Sequence, residues 1–334
     1  MNAQPMRIAV LFGGTSMERD VSVASAAQVI TALRGRGHSV VAVDAARGPL
    51  SATEEAVVLA DAVDRAPPEQ IRDRQLSHLI QADVFRGIDV AFLAMHGGEG
   101  ENGTLQALLD LAGVCYTGSG QLGSAIAMDK DVSKRLFRAA GVPTADWLMT
   151  PAAADEVGRD LGYPLIVKPN SQGSTVGLSL VRHPDELDAA TANAHQFDKE
   201  VMLERYVPGR ELTVGIVAGE ALSVGEIVIP GGGLFDYESK YQVGGANEIF
   251  PADITAAIES RVKALALKVN KALKLACYCR VDFRLDPDGQ LWCLEVNTLP
   301  GLTASSLLPR SAAASGIEFA QLCETICQLA LQKE

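Results

Sequence analysis

Two short segments near the C-terminus constrain the fold more than any other part of this 334-residue chain. Residues 279–285 (CRVDFRL) and 291–297 (LWCLEVN) alternate apolar and polar side chains with the period of two that a strand imposes. Between them, Asp286-Pro287-Asp288-Gly289-Gln290 is a turn sequence, so the pair reads as an antiparallel hairpin. Arg280, Asp282 and Arg284 share one face of the first strand, and Glu295 and Asn297 share one face of the second. A two-residue Asp288-Gly289 turn would set Asp282 opposite Glu295, ~4.5–5.5 Å apart at Cβ. A three-residue loop with a bulge would set them on opposite faces. Carboxylates that close repel unless a cation lies between them, and Asp, Glu and Asn are the oxygen donors magnesium accepts. The expectation is therefore a loop of even length, with Asp282, Glu295 and Asn297 sharing the metal.

The other end of the chain has a different grammar. Residues 7–12 (RIAVLF) form a continuous apolar run, as a buried parallel strand does. Gly13-Gly14 follows, then a helical pattern from about Ser22 to Leu33, a second strand over 39–43 and a third over 89–95 (DVAFLAM). Strand–helix–strand order predicts an α/β opening on a parallel sheet. Residues 47–80 read as helix plus loop. The glycine-rich run 116–123 (YTGSGQLG) is the first candidate boundary, and units of 1–121, 122–202 and 203–334 are expected. Beyond it the pattern gives a helix over 128–140, strands over 164–169, 201–206 and 211–217, a helix over 256–273 and a last helix from about Phe319. Residues 229–251 hold five glycines and no clear period; a loop that long inside a compact unit is functional more often than idle.

A net charge of −12 argues against nucleic acid as a partner. No stretch reaches the ~18 consecutive apolar residues of a membrane span and the N-terminus has no signal-peptide pattern, so a cytoplasmic protein is expected. The six cysteines make no paired CxxC and read as packed thiols: Cys277, Cys279 and Cys293 in strand-like runs, Cys323 and Cys327 on one helix face. There is no G-x-x-x-x-G-K-[ST] and no G-x-G-x-x-G after the first strand, which removes the P-loop and dinucleotide folds. Instead Lys168 ends the strand PLIVKP beside the loop NSQGSTVGLS, where Gly173 and Gly177 allow close backbone approach and Ser171, Ser174 and Thr175 add donors. That pairing suits a phosphate grip. Glu204 and Glu211 could accept from ribose hydroxyls.

GGTSMERDVS, HGGEGENGT, YTGSG, MDK, IVKPNSQGSTVG, LERYVPGRELTV, FDYESKY, RVDFRL and EVNTLPGLTASSLLP occur in this order. Together they resemble the D-alanine–D-alanine ligase family over nearly the whole chain, apart from about residues 45–85. The resemblance implies an ATP-grasp fold, α/β overall and α+β in its C-terminal half, behind an N-terminal parallel-sheet domain. It implies ATP as a substrate, two magnesium ions that manganese can replace, D-alanine as the other substrate, a role in peptidoglycan precursor synthesis, and a homodimer. Residue by residue it makes Lys130 and Lys168 the lysines that reach the phosphates. Glu204, Arg205, Tyr206, Val207, Glu211, Lys240 and Leu294 become nucleotide contacts, and Asp282, Glu295 and Asn297 the metal ligands. Glu18 would bind the first D-alanine's ammonium and His96 would line that site. Arg280 and the Gly301 amide would donate to the reacting carboxylate, while Ser305, Ser306 and Leu307 would hold the second substrate. Glu18, Ser174 and Tyr241 would form a triad that ties the serine loop and the long loop over the site.

Arg284 departs from the family, where an apolar residue is usual; it could stack on adenine or reach phosphate. Cys279, before Arg280, replaces a small residue. The resemblance leaves two alternatives: another D-amino-acid or D-alanine–D-lactate ligase, or an inactive nucleotide-binding protein. Phenylalanine in place of Tyr241 accompanies ester-forming relatives. Tyr241→Phe is therefore expected to raise D-alanyl-D-lactate formation, read as the product ratio with D-alanine and D-lactate both present; an unchanged ratio counts against it.

Overall fold

The computed structural model describes residues 4–60, 83–229 and 247–333. Three sheets divide the chain. The first is built from β1 (Arg7–Phe12), β2 (Ser39–Asp44), β3 (Gly48–Pro49) and β4 (Val90–Leu93), in the order β3-β2-β1-β4. β1 lies parallel to both β2 and β4, as the strand–helix–strand order requires. The central sheet contains β5 (Trp147–Met149), β6 (Leu165–Pro169), β7 (Ser179–Val181) and β8 (Val201–Arg205), in the order β5-β8-β6-β7. The last contains β9 (Arg210–Val217), β10 (Glu220–Val228), β11 (Asn247–Ile249), β12 (Tyr278–Leu285) and β13 (Leu291–Asn297), in the order β11-β10-β9-β12-β13. Both of these later sheets are antiparallel throughout.

Each sheet has its own core. Val10, Leu11 and Phe12 of β1 pack with Val29, Ile30 and Leu33 of helix Arg19–Gly35. The same core takes Leu322, Cys323, Ile326 and Cys327 from the final helix Phe319–Leu331, so the end of the chain returns to the sheet that opens it. Helix Ala256–Ala272, capped by Thr255, covers the last sheet through Val262, Ala266 and Val269. Cys279, Cys293, Cys323 and Cys327 are buried, as read from sequence; Cys277 is only half-buried and precedes β12 instead of lying in it.

The expected helix over 128–140 is Lys130–Ala139, and a separate helix, Gln121–Met128, precedes it with a break at Asp129. Asp129 is extended and its carboxylate accepts the Val132 N–H at 3.0 Å, which makes it the N-cap of the second helix. The boundary run 116–123 is correspondingly shorter, since a helix begins at Gln121. Of the expected irregular stretch 229–251, Asn247–Ile249 is a strand on β10, and residues 230–246, with Lys240 and Tyr241, lie outside the described residues.

The hairpin carries the instructive correction. Leu285 pairs with Leu291, so the connection is the five residues Asp286–Gln290, an odd loop. Read from the turn inward, that register would send Asp282 and Glu295 to opposite faces. It does not, because the pairing slips between Asp282 and Phe283: Phe283 faces Cys293, whereas Asp282 faces Glu295. Leu294 is the extra residue of this bulge. The expected loop parity is wrong and the expected shared face is right, since a bulge at Leu294 reverses the alternation.

Candidate active site between the two antiparallel sheets

The central and last sheets face each other across a cleft of ≈ 990 Å³. Lys130, Lys168, Glu204, Tyr206 and Val207 line it, with Glu211, Arg280, Asp282, Arg284, Leu294 and Glu295 on the opposite wall. The bulge explains how Leu294 and Glu295, adjacent on one strand, both reach the cleft.

Capping by Asp129 puts Lys130 at the first helical position, aimed at the serine loop. Its Nζ donates to Gln172 O at 2.6 Å and lies 3.2 Å from Glu295 Oε2. Lys168 on β6 donates to Glu204 Oε2 at 2.7 Å. The other oxygen of Glu204 takes a second lysine, Lys134, which sequence reasoning missed. Lys134 also donates to Thr144 Oγ1 at 2.6 Å. Its signal was its position, one helical turn after Lys130 on the same face. Burial alone would raise the Glu204 carboxyl, but the two ammonium groups hold it down at about 2. Burial likewise pulls Lys168 down, and Glu204 and Glu295 together more than reverse it. Lys134, deeper still, stays below its usual value because of burial despite Glu204.

On the opposite wall, Arg280 grips Asp282 through Nε at 2.9 Å and Nη2 at 2.7 Å, and Thr213 Oγ1 donates to the same carboxylate at 2.7 Å. Thr213 was also missed; it stands opposite Asp282 on β9. Arg280 pairs with Asn297 across the hairpin. The Asn297 Oδ1 is buried and accepts no hydrogen bond from any described residue. A buried amide oxygen without a donor, beside two carboxylates on one face, fits a cation with a preference for oxygen.

The N-terminal sheet contributes the rest. Glu18 ends the loop after β1, and its Oε1 accepts from Ser174 Oγ, so the expected contact between positions 156 residues apart is present. Ser174 and Thr175 have φ of 51° and 62°, left-handed values that cost energy in residues with a Cβ. A strained tip held by one carboxylate suits a loop that must open and close.

His96 is only 3% exposed and both ring nitrogens are engaged. Nδ1 faces Leu299 O at 2.7 Å and therefore carries the proton; Nε2 accepts from Ser25 Oγ at 2.9 Å, which leaves Ser25 Oγ to accept the Leu302 N–H at 3.1 Å. Burial, its largest influence, keeps the imidazole below its usual pKa and neutral. Glu101, a third omission, holds the same loop: its carboxylate accepts from Thr298 N, Leu299 N and Gly97 N at 3.2, 3.1 and 3.1 Å. Burial first, then the charge of Glu18, raise it to about 7. His96 and Glu101 thus clamp the segment between Asn297 and Gly301. Past it, Ser306 Oγ lies 2.7 Å from Thr303 Oγ1, a Cβ on Gly301 would stand 3.0 Å from Ser306 Oγ, and Ser305 Oγ lies 3.1 Å from Thr303 Oγ1. Leu307 opens the buried side of helix Leu307–Ala314. Of the described candidates, Lys130, Lys168, Glu204, Arg205, Tyr206, Val207, Glu211, Arg280, Asp282, Arg284, Leu294 and Glu295 line the cleft, whereas Glu18, His96, Ser174, Asn297, Gly301, Ser305, Ser306 and Leu307 are held by the contacts above and do not line it; the Arg205 side chain turns outward to Asp146 and Asp160.

Two family models match this chain: "D-ala D-ala ligase N-terminus" over residues 7–119 and "D-ala D-ala ligase C-terminus" over 136–328. Among curated proteins, the D-alanine–D-alanine ligase of a Synechococcus strain is 40% identical over 332 residues, covering 98% of this chain and 94% of that protein. The ligase of Geobacter sulfurreducens is 40% identical, covering 96% and 92%. Among solved structures, the D-alanine–D-alanine ligase of Bacillus anthracis complexed with ATP superposes with a TM-score of 0.75 at 32% identity, covering 98% of this chain and 97% of that one. The VanG D-Ala:D-Ser ligase of Enterococcus faecalis gives 0.82 at 30% identity, covering 98% and 100%.

Proposed function

The chain belongs to the D-alanine–D-alanine ligase family, and from that membership we propose how its residues share the work of joining two D-alanines at the expense of ATP. The enzyme supplies the dipeptide for peptidoglycan precursors, and ADP and phosphate are the other products. Three units divide the labour: 1–121 receives the first D-alanine, and 122–202 and 203–334 enclose the nucleotide. No described helix is long and apolar enough to cross a membrane, and we place the enzyme in the cytoplasm as a homodimer.

The observation that carries the reading is the register that sets Asp282 opposite Glu295, beside the unpartnered Asn297 oxygen and in front of Lys130 and Lys168. These three residues would hold magnesium, one ion or two, with manganese as a substitute. Bound there, it would neutralise phosphate charge and make the γ-phosphoryl group a better electrophile. Lys130 and Lys168 exchange part of their present contacts for phosphate oxygens. Glu211 meets the ribose; Glu204, the backbone of Arg205, Tyr206 and Val207, and the Leu294 side chain meet the base.

A carboxylate is a poor electrophile, so the first D-alanine, with its ammonium on Glu18, attacks the γ-phosphoryl group and becomes an acyl phosphate. The second D-alanine, held at Ser305, Ser306 and Leu307, attacks as a neutral amine. Arg280 and the Gly301 amide stabilise the tetrahedral oxyanion, and phosphate leaves. Water would destroy the acyl phosphate, which is the reason for a serine loop that latches onto Glu18. The amine proton passes to the Glu18–Ser174–Tyr241 chain or to the departing phosphate.

Phosphate release from ATP tests the proposal. D-alanine should stimulate it at least about tenfold, chelation should abolish it, and magnesium or manganese should restore it; D-serine and D-lactate as second substrates define the product range. Release that ignores D-alanine removes the reading.

A further inference from the structure

Arg284 lines the nucleotide cleft, and its surroundings give it a task. The side chain projects from β12 toward the connection between β8 and β9, which joins the two sheets that enclose the cleft. Nε donates to Val207 O at 3.1 Å and Nη2 to Gly209 O at 2.8 Å. Nη1 lies 3.4 Å from Glu211 Oε2, and the guanidinium carbon stands 5.9 Å from the Tyr206 ring centroid. Neither a lysine nor an apolar side chain can make these contacts together, because only a planar fork presents donors in three directions.

The connection is shaped for this grip. Gly209 has φ of +118° and passes so close to Leu285 O, at the end of β12, that a Cβ there would collide with it. Glycine thus lets the connection settle on β12, which brings both carbonyls within reach of Arg284. Glu211 is fixed from the same side, since it stands opposite Arg284 across the strand pair.

We propose that Arg284 is a positioning residue for the nucleotide: it locks the β8–β9 connection onto β12 and holds the Glu211 carboxylate where the ribose hydroxyls arrive. The proposal rests on the assignment of Glu211 to the ribose. Its consequence is selective. Nucleotide affinity and ribose recognition depend on Arg284, whereas D-alanine binding, on the far side of Arg280, does not.

The experiment compares the intact enzyme with Arg284→Met, Arg284→Lys and Glu211→Gln, measuring kcat and KM for ATP, 2′-deoxy-ATP and D-alanine. Arg284→Met should raise KM for ATP about tenfold or more, the size expected for losing charge-assisted hydrogen bonds. KM for D-alanine should stay within about twofold, and the preference for ATP over 2′-deoxy-ATP should fall to that of Glu211→Gln. Arg284→Lys, which keeps the charge and loses the fork, should recover less than half of the effect and guards against a methionine variant that misfolds. Preference lost in Glu211→Gln but kept in both Arg284 variants overturns the proposal and leaves the ribose assignment standing. Preference kept in all variants overturns the ribose assignment and the proposal with it. Equal rises in both KM values also overturn it, because they mark a general disturbance of the fold.

Discussion

Arg280→Met is expected to lower kcat about a hundred- to a thousandfold, the range seen when one preorganised oxyanion donor is removed, with KM for ATP moving less than about threefold. The guanidinium is buried, which by itself would disfavour its charge. Asp282 more than restores it, so the group stays cationic with its pKa above the ordinary arginine value. Two hydrogen bonds to one carboxylate fix its plane before any substrate arrives, so no reorganisation is needed when charge develops. Its field reaches His96 and Glu101 on the N-terminal side of the site, where both groups feel the arginine and Glu18 together. Losing Arg280 also frees Asp282, and a weaker metal site would lower activity by another route. Magnesium titration separates the two: a transition-state defect persists at saturating metal. A kcat within tenfold of wild type at saturating magnesium would sink the assignment.

Glu204→Gln should cost about 3–5 kcal/mol of stability, because it removes the counter-charge that two buried ammonium groups share and leaves only Glu295 acting on Lys168. Lys134 and Lys168 both bind Glu204, and its own exposure is 3%. The double variant Glu204→Gln/Lys134→Met should recover part of the loss. The pH dependence follows from the sign of the shift. The carboxyl lies at about 2 in the fold against an ordinary 4.5, so its contribution is present above 4.5 and disappears as pH falls from 4.5 toward 2. Wild type should lose stability steeply through that window, and Glu204→Gln should lose less there. Chemical denaturation at neutral and acid pH checks both; a Glu204→Gln midpoint equal to wild type at pH 7 would contradict the paired-lysine account.

Sequence patterning reached the parts of the fold where hydrophobic periodicity is unambiguous. β1 and β13 run over the residues read for them, and helix Phe319–Leu331 starts where expected. It did not find β10 (Glu220–Val228), whose alternation is broken by the register shift between Ala221 and Val224. Nor did it find the break at Asp129, because a cap is a backbone event and the residues either side are good helix formers. At the site, the pairing of Glu18 with Ser174 was legible only through resemblance, since nothing local marks two polar residues 156 positions apart as partners. Lys134, Thr213 and Glu101 were missed for a common reason. Each acts on another functional residue or on a backbone segment, and burial of that kind leaves no composition signal.

The hairpin connection and the slip at Leu294 have a consequence for how this enzyme can change over generations. Paired residues of an antiparallel hairpin share a face, so with Leu285 opposite Leu291 the turn between them can change length without moving Asp282 from Glu295. Removing Pro287 would shorten the connection and leave Phe283 opposite Cys293 and Asp282 opposite Glu295. What the strand cannot lose is the extra residue itself: without Leu294 the ladder would be regular, and two neighbouring side chains could no longer both reach the cleft.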